Sequence, residues 1–377
     1  MTRLDPEQLG GGPVLEMLSG AGYQAFVVGG PVRNALLGVE VSDVDIATDA
    51  RPEHVMELAE SAGFKAIPTG IDHGTVTVVA DHNPAEVTTF RRDVEADGRR
   101  AVVTFADTIE VDAHRRDFTM NALYADATGA VHDPLGGLAD LQDGKVRFID
   151  DPNDRIREDY LRILRFFRFT AWYGKQGLDA EGLAACAELA DGLDTLSRER
   201  VGAEMLKLLA APDPAPAVAS METSGILGRI LPGASAKQLP VLIHLEGIYH
   251  FSPDSLRRLS ILGGKIDLRL SKSQTKQIDK LLFYREFEIP VHEVGYKFGL
   301  KTGNDIVMLR AAALEALPDP EAFEAVQLGA TSVFPLRASD LTHLTGAKLG
   351  AALKEAEVRW VASKFTLTKE MLIALLH

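Results

Sequence analysis

FVVGGPVRNALLG, residues 26–38, runs almost directly into SDVDIAT, residues 42–48, and these two stretches decide the fold. The apolar run Phe26–Val28 has strand character, and Gly29-Gly30 followed by Pro31 at a first helical position predicts a tight strand-to-helix turn. Free backbone N–H groups at such a turn point outward and can hold phosphate. Arg33, one turn into the helix, adds a fork of donors suited to a polyphosphate. In the second stretch Asp43 and Asp45 stand at i and i+2, and strand alternation places both carboxylates on one face. Two like charges at that spacing repel unless a cation lies between them. Mg²⁺ suits the position, because it takes oxygen ligands and shares its shell with phosphates. Taken singly, a Gly-Gly pair is a turn and a D-x-D a solvated strand end; in close succession they form a far more specific pattern.

From Tyr23 to about Asp150, β-rich runs (AFVVGG, SDVDIAT, TVTVVAD, AEVTTF) alternate with helical candidates such as PEHVMELAESAG, which predicts a domain with a mixed sheet. After Pro152 the texture changes. LRILRFFRFTAWYG, AEGLAACAELADGL and RERVGAEMLKLLAAP carry helical spacing with almost no alternation, so the second half reads as all helical. APDPAPA, residues 211–217, has three prolines and makes a joint between helical subdomains. The expected division is 1–150, 151–211 and 212–377.

The chain has 377 residues, a net charge of −14, 25% charged and 46% hydrophobic residues, the balance of a folded domain rather than a disordered chain. Cys186 is the single cysteine, which excludes a disulfide framework and a cysteine-based zinc site and points to a reduced, cytoplasmic setting. The longest charge-free stretch, Met17 to Val32, is interrupted by four glycines and is too short for a membrane span, and the N-terminus lacks a secretory pattern. No G-x-x-x-x-G-K-[ST] loop is present, and His244, His250 and the lone HD dipeptide His132-Asp133 do not form a metal-ligand pattern. Residues 256–301 hold ten Lys or Arg against five Asp or Glu, so the acidic chain carries a local basic region, either a polyanion surface or a solvated helical face.

VGGPVRNALLG…DVDIAT resembles the signature of the class II tRNA nucleotidyltransferases (CCA-adding enzymes) and bacterial poly(A) polymerases, members of the DNA polymerase beta superfamily. AEVTTFRRD (85–93), AHRRDFTMNALYAD (113–126) with HDPLGGLADLQDGKVRFI (132–149), REDYLRILRFFRFTAWYG (157–174) and LSRERVGAEMLKLL (196–209) agree in order and spacing. The resemblance covers residues 23 to about 210. It implies an α+β fold: a five-stranded-type polymerase-beta-like nucleotidyltransferase head, then an all-α neck, body and tail. It further implies that Gly29, Gly30 and Arg33 hold a nucleotide triphosphate, that Asp43 and Asp45 hold Mg²⁺, and that Glu86 is a third carboxylate near the acceptor 3′-hydroxyl. Arg116 is expected to contact nucleotide and Asn121 to lie near the ribose. Arg115 and Asp117 otherwise read as a local ion pair at a helix start. Residues 90–112 look like the family's flexible loop, and Asn34 stands where members usually carry Asp, losing an acceptor.

REDYLRILRFFRF puts Asp159 and Arg162 three apart on a predicted helix, with Arg165 and Arg168 continuing the step. Without the upstream motifs this is an amphipathic helix with an exposed ion pair. With them, the resemblance implies that Asp159 and Arg162 read the incoming base. A carboxylate accepts from the amino group of cytosine or adenine, a guanidinium donates to the adjacent ring acceptor, and uracil and guanine present the wrong pattern. Arg165 and Arg168 would support the nucleotide. The implied activity is template-independent addition of CCA to the 3′ end of tRNA from CTP and ATP. The rivals are a poly(A) polymerase using ATP alone and a catalytically silent RNA-binding protein on the same scaffold. Nothing in the sequence identifies a protein partner.

Overall fold

A computed structural model describes residues 2–41, 43–97, 100–287 and 289–376. The chain forms two compact units, residues 1–208 with 216–230, and residues 209–215 with 231–377.

The first unit is built on a mixed sheet. Its strands are β1 (Ala25–Val28), β2 (Val44–Thr48), β3 (Lys65–Gly70), β4 (Thr75–Ala80), β5 (Asn83–Thr89), and two short ones, β8 (Tyr124–Ala125) and β9 (Val131–His132), in the order β3-β4-β5-β2-β1-β8-β9. The sheet therefore has seven strands rather than five, because the chain returns after residue 120 to extend it beyond β1. β2 and β5 pair in parallel, and every other neighbour pair is antiparallel. The register aligns Val27, Ile46, Val87 and Val76 in one row across four strands, all buried. Each contributes on the order of 1.5–3 kcal/mol by leaving water. Because strand side chains alternate, this row fixes the neighbouring one, where Asp45 lies directly opposite Glu86 and Glu86 opposite Thr77. Helices Gly12–Gly20 and Pro52–Ser61 pack on the sheet.

Residues expected to form a flexible loop make an antiparallel hairpin, β6 (Arg91–Asp97) with β7 (Arg100–Phe105), its register shifted between Asp93 and Glu95. Residues 98 and 99 of that segment, and Ser42 of the aspartate motif, lie outside the described residues. The predicted helix through REDYLRILRFFRF is two helices, Pro152–Glu158 and Leu161–Tyr173. Asp159 separates them with extended backbone (φ −155°, ψ 105°). Its carboxylate accepts from the Leu161 N–H at 3.1 Å, so the aspartate caps the second helix instead of continuing the first.

The second unit is helical. In it the basic region is largely spent internally. Arg257 and Arg258 are 2% and 1% exposed, both bound to Glu246, and Arg257 reaches Asp305 at 2.6 Å. Arg258 also donates to the carbonyls of Leu209 and Ala211. Arg285 donates to the Ser260 carbonyl, Lys297 pairs with Glu293, and Lys301 with Asp254 and Asp305. The local excess of positive charge therefore does not survive as a continuous surface. Lys265, Arg269, Lys272 and Lys276 stay exposed, the last two on the helix Lys272–Glu286, which also exposes Asp279 and Phe283 and leads to Phe287. Among the described residues no helix is long and apolar enough to cross a membrane. Cys186 is fully buried, and burial pushes its thiol pKa up.

Candidate active site

β1 ends at a turn in which Gly29 takes φ 74°, a conformation that favours glycine, and caps the helix Gly30–Leu36 with Pro31 in its first turn. A Cβ on Gly29 would stand 3.3 Å from an Arg116 guanidinium nitrogen and 3.4 Å from the Asn121 carbonyl oxygen. The turn predicted from the sequence thus forms, and it brings three predicted nucleotide residues together.

Arg33 is 7% exposed. Its guanidinium donates to Asn121 Oδ1 (2.5 Å), Tyr173 Oη (2.9 Å) and Asn34 Oδ1 (2.9 and 3.2 Å), and lies 4.3 Å from the Tyr173 ring centroid. Burial holds its pKa below the ordinary arginine value. Asn34 therefore keeps the acceptor role that its replacement of Asp put in question, and its amide nitrogen donates to the Glu40 carbonyl at 3.4 Å.

Arg116 rests on the fully buried Asp112, donating to Oδ2 at 3.0 and 3.3 Å, with Tyr124 Oη at 3.2 Å. Arg115 takes the other oxygen, Oδ1, at 2.7 Å. Burial alone would raise the Asp112 pKa, but Arg115 and Arg116 outweigh it and hold the carboxyl far below the usual range. The suggested ion pair between Arg115 and Asp117 does not form. Asp117 instead accepts from Arg165 (2.6 Å) and from Asn121 Nδ2 (2.9 Å), with its pKa held down at about 2 despite burial, Arg165 being the strongest opposing charge. A continuous relay thus runs Arg165–Asp117–Asn121–Arg33–Tyr173.

Asp159 and Arg162 do not pair with each other. Asp159 Oδ2 accepts from Arg200 at 2.6 Å, while Arg162 donates to Glu158 Oε2 (2.6 Å) and to the carbonyls of Arg155 (3.0 Å) and Arg115 (2.9 Å). The turn from Asp159 to Arg162 is closed by the Arg162 N–H on the Asp159 carbonyl at 2.9 Å, but the Asp159 carboxylate is taken by the Leu161 N–H and Arg200 while Arg162 is taken by Glu158. Arg168 lies 3.0 Å from Glu204 and over the Phe169 ring.

Asp43 and Asp45 line a cleft of about 720 Å³ together with Glu86, Thr77, Asn83 and the backbone of Gly10 and Gly11. Burial raises the Asp45 pKa, Glu86 adds to the rise, Arg116 opposes it and Asp43 contributes further. Among the described residues no group of three or more His, Cys, Asp or Glu is placed to hold a metal ion by itself. The donor set is an open one, two carboxylates with a third across the strand pair, which fits a hard divalent ion that keeps part of its shell for phosphate oxygens. Sequence reasoning missed Asp112, Tyr124, Tyr173, Glu158 and Arg200. Asp112 and Glu158 carried a local signal, the first in its i+3 and i+4 spacing to Arg115 and Arg116 and the second in its spacing to Arg155 and Arg162.

A mixed-sheet head with a phosphate-type glycine turn, a buried arginine beside it and a carboxylate cleft defines a nucleotidyltransferase. The family described as "Poly A polymerase head domain" matches residues 25–147, and that described as "Probable RNA and SrmB- binding site of polymerase A" matches residues 177–238. The chain is 31% identical over 383 residues to CCA tRNA nucleotidyltransferase 1, mitochondrial, of Mus musculus, covering 95% of this chain and 88% of that protein. It is 40% identical over 244 residues to a CCA-adding enzyme of Streptococcus gordonii, covering 64% and 60%. Its fold matches the crystal structure of the Bacillus stearothermophilus CCA-adding enzyme in complex with CTP with a TM-score of 0.74, at 28% identity over 100% of this chain and 97% of that one. The chain belongs to the CCA-adding tRNA nucleotidyltransferase family. Nucleotidyltransferases of this kind are generally metal-dependent.

Proposed function

We propose that the protein builds and repairs the 3′-terminal CCA of tRNA from CTP and ATP without a nucleic-acid template. The observation that carries this is the meeting, in one unit, of the Gly29–Arg33 turn with the Asp43/Asp45 cleft and the Asp159–Arg162 segment. Near-full-length similarity to a CCA tRNA nucleotidyltransferase favours CCA addition over ATP-only tailing or a silent scaffold. A mitochondrial protein stands among its relatives, and the single cysteine is in keeping with a reduced compartment.

In this reading Gly29, Gly30, Arg33 and Arg116 hold the triphosphate, and Asn121 lies by the ribose. Asp43 and Asp45 hold Mg²⁺, with Glu86 beside the acceptor. An ion held by these carboxylates would lower the pKa of the RNA 3′-hydroxyl and offset charge on the phosphate. The hydroxyl attacks the α-phosphate in line and pyrophosphate leaves. Asp159 and Arg162 read the base although they do not pair with each other. Arg200 and Glu158 hold them apart, so each keeps hydrogen-bonding capacity for an edge that offers a donor beside an acceptor. Arg165 orients the Asp117–Asn121 arm, and Arg168 sits next along the same helix. In the second unit the exposed Lys272, Lys276, Phe283 and Phe287 take part of the RNA, lysines on phosphates and rings under bases.

The test is extension of a tRNA transcript ending at the discriminator base with Mg²⁺ and CTP, ATP or both. Two additions with CTP, a third with ATP present and then a stop are expected. A long ladder from ATP alone, or no extension at all, refutes the assignment.

A further inference from the structure

Arg33 is a buried guanidinium whose hydrogen-bond partners are all neutral: the amide oxygens of Asn34 and Asn121 and the hydroxyl of Tyr173. Among the described residues it forms no ion pair. Its neighbours in the site are treated differently, since Arg116 has Asp112, Arg165 has Asp117 and Arg168 has Glu204. The Asp117 carboxylate makes no bond to Arg33; it is linked to it through the Asn121 amide and otherwise acts on it only at longer range. A buried cation without a counter-ion is costly, and an arriving anion relieves that cost.

We propose that Asn34 and Tyr173 are positioning residues that hold Arg33 in place without neutralising it, so that its charge is reserved for the polyphosphate of the nucleotide and of the pyrophosphate product. This rests on the assignment of Arg33 to triphosphate binding. Both residues are suited to it. Asn34 Oδ1 receives Nε and one terminal nitrogen from the side, an acceptor geometry that a carboxylate would also satisfy but with a full negative charge. Tyr173 accepts from the same terminal nitrogen at 2.9 Å, with its hydroxyl 3.5 Å from Asn34 Oδ1 and its ring centroid 4.3 Å from the guanidinium carbon. Bonding along these edges fixes the direction in which the remaining donor capacity points.

The substitution Asn34→Asp separates positioning from charge, because it preserves the shape and the acceptor and adds the counter-ion, giving up only the long, exposed bond from the amide nitrogen to the Glu40 carbonyl. In full-length protein, affinity for CTP, for ATP and for inorganic pyrophosphate should each fall about tenfold, the cost of roughly one charge-assisted contact. The fall should be equal for the two nucleotides, since the base is not touched. The unliganded variant should melt at a higher temperature than the parent, because the buried cation has gained a partner. Tyr173→Phe keeps the ring and removes the acceptor. It should raise KM for both nucleotides several-fold, with the ordering of C and A addition unchanged. A merely structural role for Asn34 predicts instead a lower melting temperature and unchanged ligand affinity. Pyrophosphate affinity in Asn34→Asp equal to the parent's, or a loss confined to one nucleotide, overturns the proposal. Nucleotide and pyrophosphate binding are read without any RNA. A parent protein that binds both yet extends no tRNA therefore fails the broader assignment while leaving this one intact.

Discussion

Asp112→Asn is the sharpest perturbation of the site's scaffold. The carboxylate is 0% exposed and receives Arg115 at 2.7 Å, Arg116 at 3.0 and 3.3 Å and the Tyr124 hydroxyl at 2.8 Å. Asparagine offers one acceptor oxygen and turns an N–H₂ toward donors, leaving Arg116 against Tyr124 without the carboxylate on which it rests. Removing one partner of a buried ion pair costs on the order of 3–5 kcal/mol. Arg115 and Arg116 are 15% and 16% exposed and regain some hydration, so the lower end, about 3 kcal/mol, is expected. Trp172 lies in the first unit and Trp360 in the second, so urea unfolding followed by fluorescence in a Trp360→Phe background reports on the unit that holds Asp112. The folded carboxyl has a pKa below its unfolded value, so its contribution is fully present above the unfolded pKa of about 3.9 and lost as pH falls through the folded one. Parent and variant should therefore differ by a constant amount from pH 6 to 8 and converge below about pH 4. A difference under about 1 kcal/mol at pH 7, or one that widens on acidification, refutes this account of the network.

Asp43→Ala and Asp45→Ala should each abolish nucleotide transfer while leaving tRNA affinity within a few-fold of the parent, measured by gel extension beside filter binding. Gly29→Ala should cost about 1–2 kcal/mol through its positive φ and crowd Arg116, so the melting temperature falls and KM for both nucleotides rises. Phe283→Ala with Phe287→Ala should weaken tRNA binding about tenfold at constant salt dependence, whereas Lys272→Gln with Lys276→Gln should flatten the salt dependence of log Kd. Transfer to saturating tRNA should be retained in both pairs.

The parts of this molecule that depend on local pattern were legible. The Gly29 turn, the strand bearing Asp45 and the run bearing Glu86 follow from glycine placement and alternation, and all three are found where the sequence places them. Pairings between distant segments were not. Tyr173 meets Arg33 across 140 positions and Arg200 meets Asp159 across 41, and no periodicity carries such information. The break at Asp159 did have a signal, since aspartate is a strong cap, but the apolar spacing on both sides masked it. The basic region shows a different failure. A charge count over residues 256–301 cannot distinguish Arg258, buried against Glu246, from Lys276 in solvent. Burial of a guanidinium depends on partners from other helices, here Glu246 and Asp305.

The order of strands in the sheet also sets the order in which the two halves of the site come into being. β1 to β5 are complete by Thr89, so Asp43, Asp45 and Glu86 can be aligned by pairing among the first ninety or so residues to leave the ribosome. Other parts of the site arrive later: Arg116 follows the hairpin, β8 then closes against β1, and Arg165 and the neutral Tyr173 come from a helix that starts at Leu161. A nascent chain of that length therefore presents a carboxylate cleft with Arg33 but without Arg116 or Arg165, and β1 with an open edge. Because domains fold as units during synthesis, the unpaired edge of β1 is the point at which a stalled or truncated chain is most exposed to pairing with another.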